Sequence, residues 1–400
     1  MSMGEGIAVR KKAEEGAWSL MKNNVRDYAM YIALVVIFFI FAVMTKGLFL
    51  SPRNLSDLMN QTGYVAVLAI GMTCILIIKH IDLSVGFVAG FVGALAARLL
   101  MSGWATWMVI PVMLLVGIVI GMYQGFLVAK VGVPAFVTTL AGMFIFRGLL
   151  SMVTAGTGTI IVRDEAFRAL SNGFVPDLFP GAVGGVHLLT LLIGAAGALI
   201  ILFTQLRARR NMRRYQFKVA SLPVFALKLL VIIAVLAAVT WILATYKGLP
   251  WTAVIVGIVL ILYNFMLTQT QFGRSIYAIG GNTEAAELSG IDVTKVTFIM
   301  FCSMSMLAAL GGILYTSRLA SATPAAGVGF ELDAIASSYI GGVSVSGGVG
   351  KVTNTIVGAL VIMSLTNGMN LLGVDISFQY VVKGAIFVLA VAFDVISHKK

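Results

Sequence analysis

The chain predicts an all-α, polytopic helical membrane protein of about twelve transmembrane segments, some of them short or broken, with N- and C-termini both cytoplasmic. Three observations carry that expectation. Hydrophobic residues make up 60% of the 400 and charged residues only 11%, with a mean hydropathy of +1.00, whereas a soluble domain carries about 25% charged residues. The apolar residues come in runs close to the ~20 that a helix needs to cross a bilayer. Lys and Arg gather in short segments beside those runs, as cytoplasmic loops do.

The runs, in order, lie near Tyr28–Met44, Thr62–Ile78, Ser84–Met101, Trp107–Val128, Pro134–Thr154 and Gly185–Gln205. Leu222–Tyr246, Trp251–Leu267, Thr297–Ser317, Leu332–Val345, Thr353–Leu371 and Ile376–Ile396 complete the set. Residues 28–396 then form the membrane domain, with 1–27 a cytoplasmic N-terminal segment and 397–400 a cytoplasmic tail. The segment 1–27 holds Arg10, Lys11, Lys12, Lys22 and Arg26 ahead of the first apolar run. A cleaved signal peptide places its apolar core earlier, so the first span is expected to stay in the mature protein. Leu332–Val345 is short and glycine-rich. Spanning, it leaves the tail with His398, Lys399 and Lys400 inside; re-entrant, it leaves that tail outside, against the charge rule.

The loop 206–221 carries Arg207, Arg209, Arg210, Arg213, Arg214 and Lys218, whereas 155–184 sets Arg163 and Arg168 against Asp164, Glu165 and Asp177. The first belongs inside and the second outside. A net charge of +12 arranged in this way suits anionic lipid and membrane orientation, not nucleic acid. Cys74 and Cys302 sit far apart in apolar runs and read as buried thiols.

Two polar, glycine-rich breaks interrupt the apolar pattern. Ile81-Asp82-Leu83-Ser84-Val85-Gly86 and Val343-Ser344-Val345-Ser346-Gly347-Gly348 each precede a helix rich in small residues, a weak hint of an internal repeat. Asp82 and Ser84 either lie in a transport path at membrane depth or cap the third helix in an ordinary turn. Gly350-Lys351 is not a phosphate loop, since Val345 and Val352 stand where Gly and Ser or Thr are needed. Asn60, Gln61, Asn367, Asn370, Gln379 and Tyr380, with Ser344 and Ser346, offer amide, hydroxyl and ring groups of the kind that bind a sugar. Inter-helix hydrogen bonds are the alternative for each of them.

Arg98 and Arg147 lie near span ends, where they can reach headgroups. Lys383 is more central and has no carboxylate partner in its own helix. No ladder of Asp and Glu suited to proton coupling occurs, and His80, His187 and His398 are dispersed. No metal-ligand spacing or nucleophile elbow appears. The expectation is therefore no catalytic residue, no metal and no cofactor held by this chain.

The most informative stretch is 271–296, a polar loop with helix signals at both ends. Asn282 or Thr283 can cap a helix, Glu284 and Glu287 favour its positive end, and Gly290 can stop it in the left-handed conformation. Two turns of helix are too few to be stable alone, so a supporting partner surface is expected. Glu284, Ala285, Ala286 and Gly290 resemble the EAA-x-x-x-G coupling motif of permease subunits in binding-protein-dependent ABC importers. Gly280, Gly281 and Asn282 before it, and Leu288, Ser289, Gly290 and Ile291 after it, are similar to the monosaccharide (ribose, xylose, galactose) branch. Ile81–Gly86 and Glu331–Ala336 resemble further stretches of that branch. The Leu-Pro pair that closes the motif in other branches is missing.

That resemblance implies a bacterial inner-membrane subunit that works as a homodimer. Asn282, Glu284, Ala285, Ala286, Glu287 and Gly290 would engage a cytoplasmic ATPase that holds ATP and Mg. A periplasmic sugar-binding protein would deliver the substrate. The basic loop and seventh span look like an insertion relative to the shortest monosaccharide permeases, which points to xylose or multiple-monosaccharide relatives. Two alternatives stand beside it: an ion-coupled secondary transporter, and an ABC permease for another small polar solute such as an amino acid or nucleoside.

Overall fold

The computed structural model describes residues 14–15, 25–179, 185–215, 219–220 and 222–398. The basic residues Arg10, Lys11, Lys12, Lys22, Lys218, Lys399 and Lys400, and with them most of the segment 1–27, lie outside the described residues. The chain forms two compact units, one of residues 1–32 with 174–249, the other of 33–173 with 250–400.

The larger unit begins within α1 (Val25–Met44) and continues through α2 (Pro52–Ile77), α3 (Val85–Met101), α4 (Thr106–Phe126) and α5 (Ala135–Thr154). A strand β1 (Ile160–Ile161) and the short α6 (Glu165–Asn172) follow. The smaller unit contributes α7 (Leu188–Arg214) and α8 (Leu222–Ala244). The larger unit resumes with α9 (Trp251–Gln269), α10 (Gln271–Gly281), α11 (Thr283–Leu288), α12 (Val293–Leu319), β2 (Ser321–Ala322), α13 (Phe330–Ile340), α14 (Val352–Leu371) and α15 (Ile376–His398). Among the described residues, eight helices are long and apolar enough to cross a membrane, and three shorter apolar ones join them. With α13 these account for every span expected from the sequence.

The smaller unit is a helical hairpin closed at one end by its own loops. His187 caps α7 by accepting the Thr190 N–H, Val175 N–H donates to the Leu249 carbonyl, and the Arg209 guanidinium lies 4.6 Å over the Phe225 ring.

In the larger unit the core is built on α2 and α12. Every residue from Thr62 to Ile78 is buried. α2 starts at Pro52, well before the Thr62 expected from hydropathy, because Ser51 caps it and Pro52 sits where a missing N–H costs nothing. Its first turns are polar, but Asn54, Ser56 and Asn60 are buried against protein. Glycines let helices close on one another here: a Cβ on Gly121 would fall 2.5 Å from the Cys302 Cα of α12, and one on Gly71 2.6 Å from the Met304 sulfur.

The tenth segment differs from its sequence reading. Helix α13 ends at Ile340, so 341–345 of the expected span is irregular, as Gly341, Gly342 and the later glycines allow. Eleven helical residues cover only about 16 Å. β2 pairs antiparallel with β1 at one end of the unit. Phe330 then packs on Tyr64 and Tyr315, Ser338 reaches the Ala69 carbonyl, and Gly348 reaches that of Ile77. α13 and the chain after it thus run beside the Tyr64–Ile77 part of α2 in the same direction. α14 returns to the first turns of α2, and α15 runs back beside α13, so its C-terminal end lies on the side of Ile77 and Gly348.

Candidate coupling loop and transport path

The loop 271–296 is fixed by local chemistry at each corner. The Thr270 hydroxyl caps α10 by accepting the Gly273 N–H at 3.1 Å. The Asn282 side chain caps α11 through the Ala285 N–H at 3.1 Å, Gly290 stops it with φ +81°, and Asp292 caps α12 through the Lys295 N–H at 2.8 Å. Ala286 is buried against the chain itself, whereas Glu284, Ala285 and Glu287 face outward. Leu288, noted in the sequence only as part of the resemblance, is 92% exposed. Ala286 and the flanking caps root this six-residue helix in its own permease body.

Just before α11, which forms a small knob on the surface, the chain is locked to the C-terminal end of α2 and to the second glycine-rich break. Gly280 lies where a Cβ would collide with the Ile77 carbonyl and come within 2.5 Å of the Gly348 nitrogen. The Lys79 ammonium donates to the Gly281 carbonyl at 3.3 Å, and the Tyr277 hydroxyl donates to the Gly350 carbonyl at 2.7 Å. Gly348 N–H in turn donates to Ile77 at 2.9 Å. Side chains at Gly280 or Gly348 would force these backbones apart.

In the first break the Ser84 N–H and hydroxyl both donate to Asp82 Oδ1, at 2.9 and 2.7 Å. Gln124 of α4 donates to the Ser84 hydroxyl at 2.7 Å, and Asp82, Ser84 and Gln124 are all fully buried. Ser84 occupies the cap position of α3, but neither it nor Asp82 bonds to the helix's inner amides. Asp82 closes a turn and ties the break to α4. Gly86 ends the motif because the 325–329 loop crosses there: a Cβ on Gly86 would strike the Gly327 carbonyl, and one on Gly327 the Gly86 carbonyl.

The remaining polar candidates fall into separate groups. Asn367 accepts from Asn54 Nδ2 at 2.9 Å and donates to Gln61 Oε1 at 3.3 Å. Gln379 donates to Asn370 Oδ1 at 2.8 Å, linking α15 to α14. Ser344 and Ser346 bond to each other within the second break. Asn60 is buried near the start of α2, and Tyr380 stands 3.8 Å from where a Gly329 Cβ would be. The amide bonds are the helix-joining kind.

The basic side chains Lys383, Arg98 and Arg147 of the larger unit all meet protein groups. Lys383 of α15 donates to both carboxylate oxygens of Asp333 of α13, at 3.0 and 3.1 Å. Sequence reasoning missed this pair because it sought a partner in the same helix. Arg98 donates to the Val153 carbonyl at 3.3 Å, and Arg147 lies 5.6 Å over the Phe87 ring, so both find partners in protein.

Comparison with known proteins follows the same outline. A family model described as "Branched-chain amino acid transport system / permease component" matches residues 54–391. The xylose transport system permease protein of Haemophilus influenzae is 37% identical over 384 residues, covering 96% of this chain and all of that relative. Its counterpart in Escherichia coli K12 is 39% identical over 384 residues, 95% of this chain and 94% of that one. The ribose import permease protein of H. influenzae is 32% identical over 386 residues, 94% of this chain and 98% of that one. No solved structure matches.

Proposed function

The chain belongs to the branched-chain amino acid transport system / permease component family, and from that membership we propose that it carries xylose, or a closely related pentose or hexose, across the bacterial inner membrane. It is a multi-pass permease subunit of an ABC monosaccharide importer, not an enzyme, and it works with a separate ATPase and a substrate-binding protein. The observation that supports xylose is likeness to xylose permeases along nearly the whole chain, including the α7–α8 region.

In this reading ATP and Mg sit on the partner ATPase, and two copies of the permease assemble around one path. Glu284, Ala285, Glu287 and Leu288 meet the ATPase, while Asn282 and Gly290 give the knob its ends and Ala286 roots it. A push on α11 passes through Gly280 to Ile77 and Gly348 together. The end of α2 and the second break then move with one displacement, which is what alternating access around a fixed site requires. The permease supplies no covalent chemistry. Its part is to move its helices when nucleotide is bound and released next door.

Reconstitution of the permease with its ATPase and binding protein tests the reading. ATP-driven uptake of labelled D-xylose, competed by D-ribose and not by L-leucine, is the expected result. Uptake of leucine in place of either sugar, as the family description alone would suggest, overturns the sugar assignment. Light scattering of the purified complex that gives one permease per assembly overturns the pair.

A further inference from the structure

The tenth segment is irregular where it enters and helical only from Phe330. At that switch the Glu331 side chain points at the first break, and the Phe330 ring beside it joins an aromatic cluster. Glu331 Oε2 is shut off from solvent and has no hydrogen-bond partner. It points at Gly86, where an added Cβ would lie 2.5 Å from it. On the preceding residue, the Phe330 ring packs on Tyr64 and Tyr315, with centroids at 4.7 and 4.8 Å, and those two rings are 5.1 Å apart. Two residues on, Asp333 already has its cation in Lys383. Of the two carboxylates in this turn, only Glu331 keeps an acceptor oxygen unused.

A buried acceptor without a donor costs on the order of 1–3 kcal/mol, and more when charged, a cost that the first turn of α13 offsets in part for an acidic side chain. Gly86 and Gly327 hold the two backbones in contact beside it, and α3 and α13 begin on either side of that contact. Half-helix starts that meet inside a membrane are where transported solutes are held. A monosaccharide has what this place lacks: hydroxyl donors for a carboxylate, and C–H faces for aromatic rings.

We propose that Glu331, with the Tyr64–Tyr315–Phe330 rings, is the sugar-holding station of the transport path. The Glu331 carboxylate accepts hydroxyl hydrogens, and the rings take the apolar face of the sugar. The station rests on the sugar-import reading above. It requires the contact between Gly86 and the 325–329 loop to open during transport, so that Oε2 is uncovered.

The test uses the assembled complex of permease, ATPase and binding protein in proteoliposomes, with labelled D-xylose and a deoxy-xylose lacking one hydroxyl. Glu331→Ala is expected to lower D-xylose uptake by about tenfold or more, while ATP turnover stimulated by the loaded binding protein stays within about twofold. Glu331→Gln, of the same shape and still an acceptor, falls between. For one deoxy analogue the wild-type preference for D-xylose disappears in Glu331→Ala, and Phe330→Ala raises the sugar concentration at half-maximal uptake. A structural role alone would lower melting temperature, uptake and ATP turnover together, with sugar preference unchanged. That outcome, or wild-type uptake in Glu331→Ala, overturns the station and leaves the import function standing. If Glu331→Ala does not assemble, unchanged uptake and preference in Glu331→Gln and Phe330→Ala overturn it. A wild-type complex that imports no monosaccharide overturns both.

Discussion

The Lys383 ammonium holds both oxygens of the Asp333 carboxylate, at 3.0 and 3.1 Å, and so ties the last helix to the half-length α13. Asp333 is 9% exposed. A pair this enclosed contributes little net stability compared with apolar residues of the same size, yet breaking it on one side strands a charge.

Lys383→Met alone is therefore expected to destabilise the permease by about 3 kcal/mol. Asp333→Asn in the same chain should recover most of that loss. Thermal unfolding of both variants in detergent, read by intrinsic fluorescence, checks the sign. Equal melting of the single and double variants would show that the stranded charge is not the cause.

Gly280 touches the end of α2 and the second break, so Gly280→Ala needs the backbones of Ile77 and Gly348 to move. Overpacking of this kind costs about 1–3 kcal/mol. The expected phenotype is a complex that assembles with its ATPase but imports sugar several-fold more slowly per ATP consumed. Transport per ATP equal to wild type would mean that the contact carries no motion.

Leu288 is almost fully exposed on the knob, and Ala286 is not exposed at all. Leu288→Asp should weaken ATPase binding by about tenfold or more, since it places an unpaired charge in a contact, while the melting temperature stays unchanged. Ala286→Leu should do the reverse and lower the melting temperature first, because it overfills the root of α11. Affinity measured with immobilised permease separates the two. Gly290→Ala sits at φ +81° and should cost about 1–2 kcal/mol of knob stability.

Asp177 gives the α7–α8 hairpin an acid limit. The little solvent it loses favours its neutral form, but the N–H groups of Phe179, Leu188 and Leu189, with His187 nearby, outweigh that and hold its carboxyl below the usual carboxylate range. A depressed folded value means that its stabilising effect is complete above the unfolded value of about 3.9. The effect is lost as pH falls through the lower, folded value. Amide exchange at Leu188 and Leu189 should stay slow from neutral pH down to about 4 and quicken only below. In Asp177→Asn it should be fast throughout.

The helical plan was legible because long apolar runs and basic loops obey the bilayer directly, and the knob was legible because Asn282, Glu284 and Gly290 act within a few residues of one another. Other features depended on distant partners. Pro52–Gln61 reads as polar, and its helical burial follows from amide bonds such as Asn54 to Asn367. The tenth segment runs along α2 only because 320–329 and 341–348 continue what α13 begins, and irregular backbone has no hydropathy signal. Gln124 drew no attention in the sequence, since its importance lies in Ser84, a residue of another helix. Gly280 was noted as part of a resemblance, but its reason is a crossing of three backbones that no local pattern reveals.

The unbroken burial of Thr62–Ile78 has a practical consequence. A carbene-generating probe dissolved in the acyl chains will mark Leu227, Leu230, Val231 and Val235 of α8, all exposed, and leave this stretch of α2 blank. Bilayer thickness and composition therefore act on the central helix only second-hand, and hydrophobic inhibitors that arrive sideways from the lipid find no face of it to grasp.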